Sequence, residues 1–156
     1  MHIFDVDHTI TRRSTGRRYI GTAISMKVVP RRVLFSLLNV SIRYRFGKLS
    51  SSHINRDLPE VAGIKRSVLE KIAERAFEEK TKFDLFPKAL EYIHRLQKRG
   101  EEIAIATSSV DIIVKPLTRY LGIDKVIASS MEFVDGVCTG KFIDAPTFHN
   151  QKLKKV

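Results

Sequence analysis

Two aspartates one residue apart, Asp5 and Asp7, close a short apolar segment in FDVDHTI. Residues 2–6 read as a strand, so side chains at i and i+2 point the same way. Carboxylates held side by side repel unless a proton or a cation separates them. The pair suits Mg2+, which prefers oxygen ligands and often takes only one or two carboxylates. It equally suits a nucleophile working beside a general acid/base. Solvated turn or capping aspartates are the plainer alternative. A second group, Thr107, Ser108 and Ser109, follows the apolar run IAIA. Hydroxyls and N–H groups at a strand end, just before a helix, form an anion cradle. Otherwise Ser109 simply caps that helix. Lys152 lies 45 residues beyond Thr107 and could neutralise a phosphate, or belong with Lys154 and Lys155 to a basic tail.

Positioning these groups calls for a sheet. After the strand at 2–6, residues 16–48 are basic and apolar, with Pro30 starting or breaking a helix. Apolar positions from Val33 through Leu34, Leu37, Leu38 and Ile42 follow helical spacing. Residues 64–80 form an amphipathic helix with Val68, Leu69, Ile72, Ala73, Ala76 and Phe77 on its stripe. Residues 87–99 form another, with Pro87 at its start and Gly100 as its stop. A buried strand over 102–107, a helix over 110–121 closed by Gly122 and a strand over 125–128 come next. VDGV then joins the two arms of a hairpin. Strands alternating with helices imply a parallel sheet with helices on both faces and a ligand at the strands' carboxyl ends.

The 156 residues suffice for one domain with a buried core, or a core carrying an insertion. An apolar fraction of 43% with 8 Gly and 5 Pro excludes collagen-like and broadly disordered chains. Cys138, the sole cysteine, has no internal disulfide partner, which fits a reducing, cytoplasmic compartment. No apolar run approaches the ~18 residues of a membrane span, and the first residues carry acids where a signal peptide carries bases. The net charge of +11 is localised. From His8 to Arg56 there are 11 Lys/Arg and no Asp or Glu, and the rest of the chain is nearly neutral. That step in composition marks an inserted module.

Taken together, these segments resemble the haloacid dehalogenase-like (HAD) phosphohydrolases, in particular subfamily IB, which contains phosphoserine phosphatase. FDVDHTI is similar to the first family motif, hydrophobic-Asp-x-Asp-x-Thr, and IAIATSS to the second. Lys152 stands where the third-motif lysine is expected, and ATSSVDIIVKPLTRYLGIDKVIAS and DGVCTGKF extend the likeness. The resemblance implies an α/β, Rossmann-like three-layer core over 1–10 and 83–156, with a helical cap over 11–82. It implies a phosphomonoester hydrolase in which Asp5 attacks phosphorus and forms an aspartyl-phosphate. Asp7 would protonate the leaving oxygen and then activate water. Mg2+ would bind the Asp5 carboxylate and the Asp7 backbone carbonyl. Thr107, the Ser108 N–H and Lys152 would hold the phosphoryl oxygens.

Two departures stand out. His8 replaces the glycine most common there, and is read as a tolerated loop residue on a backbone without positive φ. The family's fourth motif, an acidic segment that completes the metal site, should follow the lysine. The chain ends four residues after Lys152, and Asp144 precedes it. The expectation is therefore a piece of a longer enzyme, binding Mg2+ weakly and turning over slowly by itself.

The cap's first residues favour a substrate with extra negative charge over free phosphoserine. Arg12, Arg17 and Arg18 follow the first motif, and guanidinium groups bind phosphate or carboxylate bidentately. A sugar phosphate, a phospholipid headgroup or a phosphorylated macromolecule fits. Residues 26–49 mix arginines with Leu, Phe and Val as an interfacial helix does, so contact with an anionic membrane is a further expectation. A basic membrane- or nucleic-acid-binding module on an incomplete HAD core is the alternative function. Nucleic acid is the weaker partner, because no recognition motif or aromatic platform accompanies the charge.

Overall fold

A computed structural model describes residues 1–29 and 58–143. The helix expected from Val33, most of the interfacial segment, Asp144 and Lys152 lie outside the described residues.

Three strands, β1 (His2–Phe4), β2 (Ile103–Val110) and β3 (Lys125–Ser129), form a parallel sheet in the order β1–β2–β3. Helix α3 (Pro87–Lys98) leads into β2, and α4 (Asp111–Leu121) connects β2 to β3. The steps from β1 to β2 to β3 run in one direction, so right-handed crossovers put both helices on one face. Their residues Ile93, Leu96, Val114 and Leu117 share a buried cluster with Ile103 and Ile105 of β2. Ala104 and Ala106, on the opposite side of the strand, are 0% and 4% exposed. Both faces of β2 are thus covered, as a three-layer core requires.

The boundaries of α3 follow from local chemistry. Pro87 occupies the first turn, where no N–H is needed, and Gly100 takes φ 68 just beyond the end. Gly122 closes α4 with φ 64, and the Gln97 side-chain amide donates to the Leu121 carbonyl at 2.7 Å. The helix expected over 64–80 is α2 (Arg66–Ala76), followed by a π-helical turn, Phe77–Thr81, and a 3-10 turn, Lys82–Asp84. The change of winding lets the chain leave the helix toward the sheet while the Thr81 hydroxyl donates to the Ala76 carbonyl at 3.2 Å.

A second cluster joins α1 (Thr15–Ser25) and α2 to the hairpin of β4 (Met131–Val134) and β5 (Val137–Phe142). Tyr19 and Ala23 pack on Leu69, Ile72 and Ala73, with Ile112, Met131 and Cys138. The cluster draws residues from both sides of the expected core–cap boundaries. Asp135 and Gly136 take φ 49 and 75, the pair of left-handed residues that a two-residue type I′ turn needs. The outer edge of β5 is occupied by 58–66: Leu58 N–H donates to the Gly140 carbonyl at 2.6 Å and Gly63 N–H to the Cys138 carbonyl at 2.8 Å. No helix among the described residues is long and apolar enough to cross a membrane.

Tyr19 gives the second cluster a pH signature. Its hydroxyl donates to the Leu69 carbonyl at 3.3 Å. Burial, reinforced by Cys138, pushes the phenol well above its ordinary pKa of 10.0. The folded state then holds this proton more tightly than the unfolded chain. The associated stability is full below pH 10.0 and is lost as pH rises above it. In thermal denaturation from pH 8 upward, the wild-type midpoint is expected to fall more steeply above about pH 10 than that of Tyr19→Phe. Parallel curves would show that Tyr19 ionisation does not limit alkaline stability.

Candidate active site

β1 ends at Phe4, so the extended run expected through residue 6 stops short and strand alternation does not relate Asp5 to Asp7. A tight turn does. The Val6 carbonyl accepts the N–H groups of Thr9, Ile10 and Thr11 at 3.3, 2.9 and 3.0 Å. Bending the chain this sharply puts His8 at φ 63, contrary to the expectation of an ordinary backbone there. Histidine is among the few side chains enriched in the left-handed region. Its Nδ1 lies 2.9 Å from the Arg12 carbonyl across the turn.

The turn presents Asp5 and Asp7 differently. Asp5 is exposed, and its Oδ1 accepts the Val6 N–H at 2.9 Å. Asp7 is half-buried, and its Oδ1 accepts both the Thr15 N–H at 2.9 Å and the Thr15 hydroxyl at 2.8 Å. Thr15 is the first residue of α1, whose N-terminal amides lack partners within the helix. Ser14 caps the same end, accepting the Arg17 N–H at 3.5 Å.

The ladder brings the second group alongside. Phe4 pairs with Ile105, so Asp5 follows opposite Ala106 on the neighbouring strand, with Thr107 next. Adjacent strands lie ~4.8 Å apart, and β1 ends here. The register of β2 against β3 shifts between Ala106 and Val110, so Thr107, Ser108 and Ser109 interrupt the regular ladder, as bulges beside binding sites commonly do. Thr107 is buried, with its Oγ1 accepting the Ser109 N–H at 3.1 Å, while Ser108 is exposed. The strand expected to stop at 107 therefore runs to Val110. Val110, not Ser109, holds the N-cap position of α4, without a side-chain cap bond. Asp111 serves that end instead, taking the Ile112 N–H at 2.6 Å and the Ser130 hydroxyl at 2.9 Å.

A short seam joins the chain leaving this turn to the chain returning from α2. Thr11 and Leu85 form an antiparallel bridge. Arg12 N–H donates to the Asp84 carbonyl and Phe86 N–H to the Ile10 carbonyl, both at 2.9 Å. Arg12 lays its guanidinium over the Phe86 ring, 5.4 Å from the centroid, and Arg17 is exposed. Arg18 turns onto Asp84: the Nη2–Oδ2 distance is 2.8 Å, with the side chains 15% and 14% exposed. The contact is off the hydrogen-bond line, since neither Arg18 Nε nor Asp84 Oδ2 has an aligned partner among the described residues.

The structure thus gathers Asp5 and Asp7, just past the end of β1, beside Thr107 and Ser108 in the irregular stretch of β2, with Arg12 and Arg17 on the chain that follows. Lys152 lies outside the described residues. Sequence reasoning passed over Thr15 and Asp84. Ser14 caps the helix that Thr15 begins, but nothing in the sequence links Thr15 to Asp7. Among the described residues no cluster of three or more metal-ligating side chains occurs.

Residues 3–156 match the haloacid dehalogenase-like hydrolase family. Phosphoserine phosphatase SerB2 of Mycobacterium tuberculosis is 25% identical over 142 residues, covering 90% of this chain and 31% of that protein. The chain thus spans about a third of the length of this curated relative. A protein of unknown function from Bordetella pertussis superposes with a TM-score of 0.84 at 20% identity, over 99% of this chain and 71% of its own. A phosphoserine phosphatase solved as an analogue of its phospho-aspartyl intermediate gives a TM-score of 0.60 at 22% identity, over 90% of this chain and 60% of its own.

Proposed function

This chain belongs to the haloacid dehalogenase-like hydrolases, and from that premise we propose that it is a Mg2+-dependent phosphomonoesterase working through an aspartyl-phosphate on Asp5. The observation that carries the reading is the unequal presentation of the two aspartates, one exposed at the strand end and one held on Thr15. One group is accessible for attack, and the other is oriented for proton transfer.

In this reading an Asp5 carboxylate oxygen attacks phosphorus in line as the ester P–O bond breaks. The proton that the leaving oxygen needs comes from Asp7. In the second half, Asp7 takes a proton from water, whose oxygen attacks phosphorus while the bond to Asp5 breaks. Inorganic phosphate leaves and Asp5 is regenerated. The Thr107 hydroxyl, the Ser108 N–H and Lys152 hold the phosphoryl oxygens, on which charge accumulates. Mg2+ fits this donor set, because it needs few protein carboxylates and keeps its waters. The Asp5 carboxylate and Asp7 carbonyl would hold it, and it would supply charge neutralisation. The segment 11–82 is proposed as the cap, entering and leaving through the seam at Thr11 and Leu85.

Release of inorganic phosphate from p-nitrophenyl phosphate by the full chain with Mg2+ tests the activity, and no release above a protein-free control overturns it. Arg12 and Arg17 are proposed to read additional negative charge on the substrate. Arg17→Ala is expected to raise KM for a substrate with a second anionic group about 5- to 30-fold, about 1–2 kcal/mol of charge-assisted bonding, leaving kcat within twofold. An unchanged KM assigns the selectivity elsewhere.

A further inference from the structure

We infer that Thr15 is a positioning residue for Asp7, and that the Arg18–Asp84 pair holds α1 where Thr15 performs this role. The inference rests on the phosphomonoesterase reading and concerns how its proton donor is oriented. Both donors of Thr15, the backbone N–H and the hydroxyl, converge on one oxygen, Asp7 Oδ1, at 2.9 and 2.8 Å. A carboxyl oxygen has two acceptor positions, and both are taken. The proton of the acid form therefore sits on Oδ2, the oxygen that Thr15 does not engage. The rotamer is fixed as well, because Thr15 is 4% exposed and its branched side chain has little freedom at χ1.

Thr15 places Asp7 only as well as α1 itself is placed. Arg18 lies three residues further along the helix, on the same face, and its guanidinium meets Asp84 in the seam. Asp84 is fastened there by its own carbonyl, which accepts the Arg12 N–H at 2.9 Å. The line runs from the returning chain at Asp84 through Arg18 and the first turn of α1 to Thr15 and Asp7. Helix, seam and acid then move as one body.

The test exploits leaving groups. p-Nitrophenolate departs without a proton, whereas an alkoxide requires one, so misplacing the acid penalises alkyl phosphomonoesters selectively. The full chain is assayed for kcat/KM on p-nitrophenyl phosphate and on glycerol phosphate, with Asp7→Asn as reference for complete loss of the acid. Thr15→Val is expected to lower kcat/KM for glycerol phosphate at least 10-fold more than for p-nitrophenyl phosphate, and Thr15→Ser to recover at least a third of the wild-type value. Asp84→Asn is expected to show the same selective loss, and the double variant to lose no more than the worse single one. Equal losses on both substrates, no recovery with serine, or multiplying effects overturn the inference. If Thr15→Val does not fold, Thr15→Ala replaces it. A crystal structure of either variant with the Asp7 side chain unmoved also overturns the inference, whatever the turnover. Activity surviving in Asp5→Asn counts against the phosphomonoesterase reading instead, so the two failures are distinct.

Discussion

Asp5→Asn is expected to lower kcat/KM for phosphomonoesters by on the order of 10^3-fold or more, the loss typical of removing a covalent nucleophile. The substitution is nearly isosteric. An Asn side-chain carbonyl can still accept the Val6 N–H that Asp5 Oδ1 takes at 2.9 Å, so the turn survives. The amide is not a competent nucleophile, and no acyl phosphate forms. Acid-quenched wild-type protein should carry phosphate that hydroxylamine releases, and Asp5→Asn should carry none. A variant keeping a tenth of the wild-type rate would remove Asp5 from the chemistry.

The largest effect on stability is expected at Gly140. This residue lies within β5 at φ 81, and an added Cβ would come within 2.8 Å of the Leu58 carbonyl oxygen and 3.2 Å of the Ala62 Cβ. The neighbour has little room to retreat, because the Leu58 N–H is bonded to the Gly140 carbonyl at 2.6 Å. Gly140→Ala combines a left-handed penalty of about 1–2 kcal/mol with overpacking of about 1–3 kcal/mol. A loss of about 3 kcal/mol lowers Tm by roughly 6–12 °C for a chain of this size. Thermal denaturation followed by circular dichroism measures this. A drop under about 2 °C would mean that the 58–62 segment shifts aside at little cost.

Much of this architecture was legible where one residue's chemistry dictates one local geometry. Asp135-Gly136 requires the I′ turn it forms, and Pro87 and Gly100 bracket α3. The alternation of apolar strands and helices gave the parallel order of the sheet. The residues proposed for the site, Asp5, Asp7, Thr107 and Ser108, stand out in the sequence by type and spacing. Helix α1 was not, because Gly16 and Gly21 dilute its helical signal and its first turn carries no acid. The left-handed His8 was missed because the need for it comes from three N–H groups closing on one carbonyl. The continuation of β2 past Thr107 depends on pairing with β3 across a register shift, which periodicity alone does not display. Arg18 reads in sequence as a substrate-binding cation beside Arg12 and Arg17. Its partner, Asp84, is 66 positions away, and only the seam reveals the pairing.

The pairing of β1 has a consequence in time. His2 bonds into register with Ile103, whereas β3 follows β2 closely and β4 turns directly into β5. During synthesis at about 5–20 residues per second, β1 leaves the ribosome roughly 5–20 seconds before its partner does. The apolar HIF segment spends that interval without its strand neighbour, and contacts so distant along the chain form slowly. The hairpin and the β2–α4–β3 unit need only local closure. The turn bearing Asp5 and Asp7 meets Thr107 of β2 only when β1 docks, so the chemical groups come together late in the maturation of each molecule.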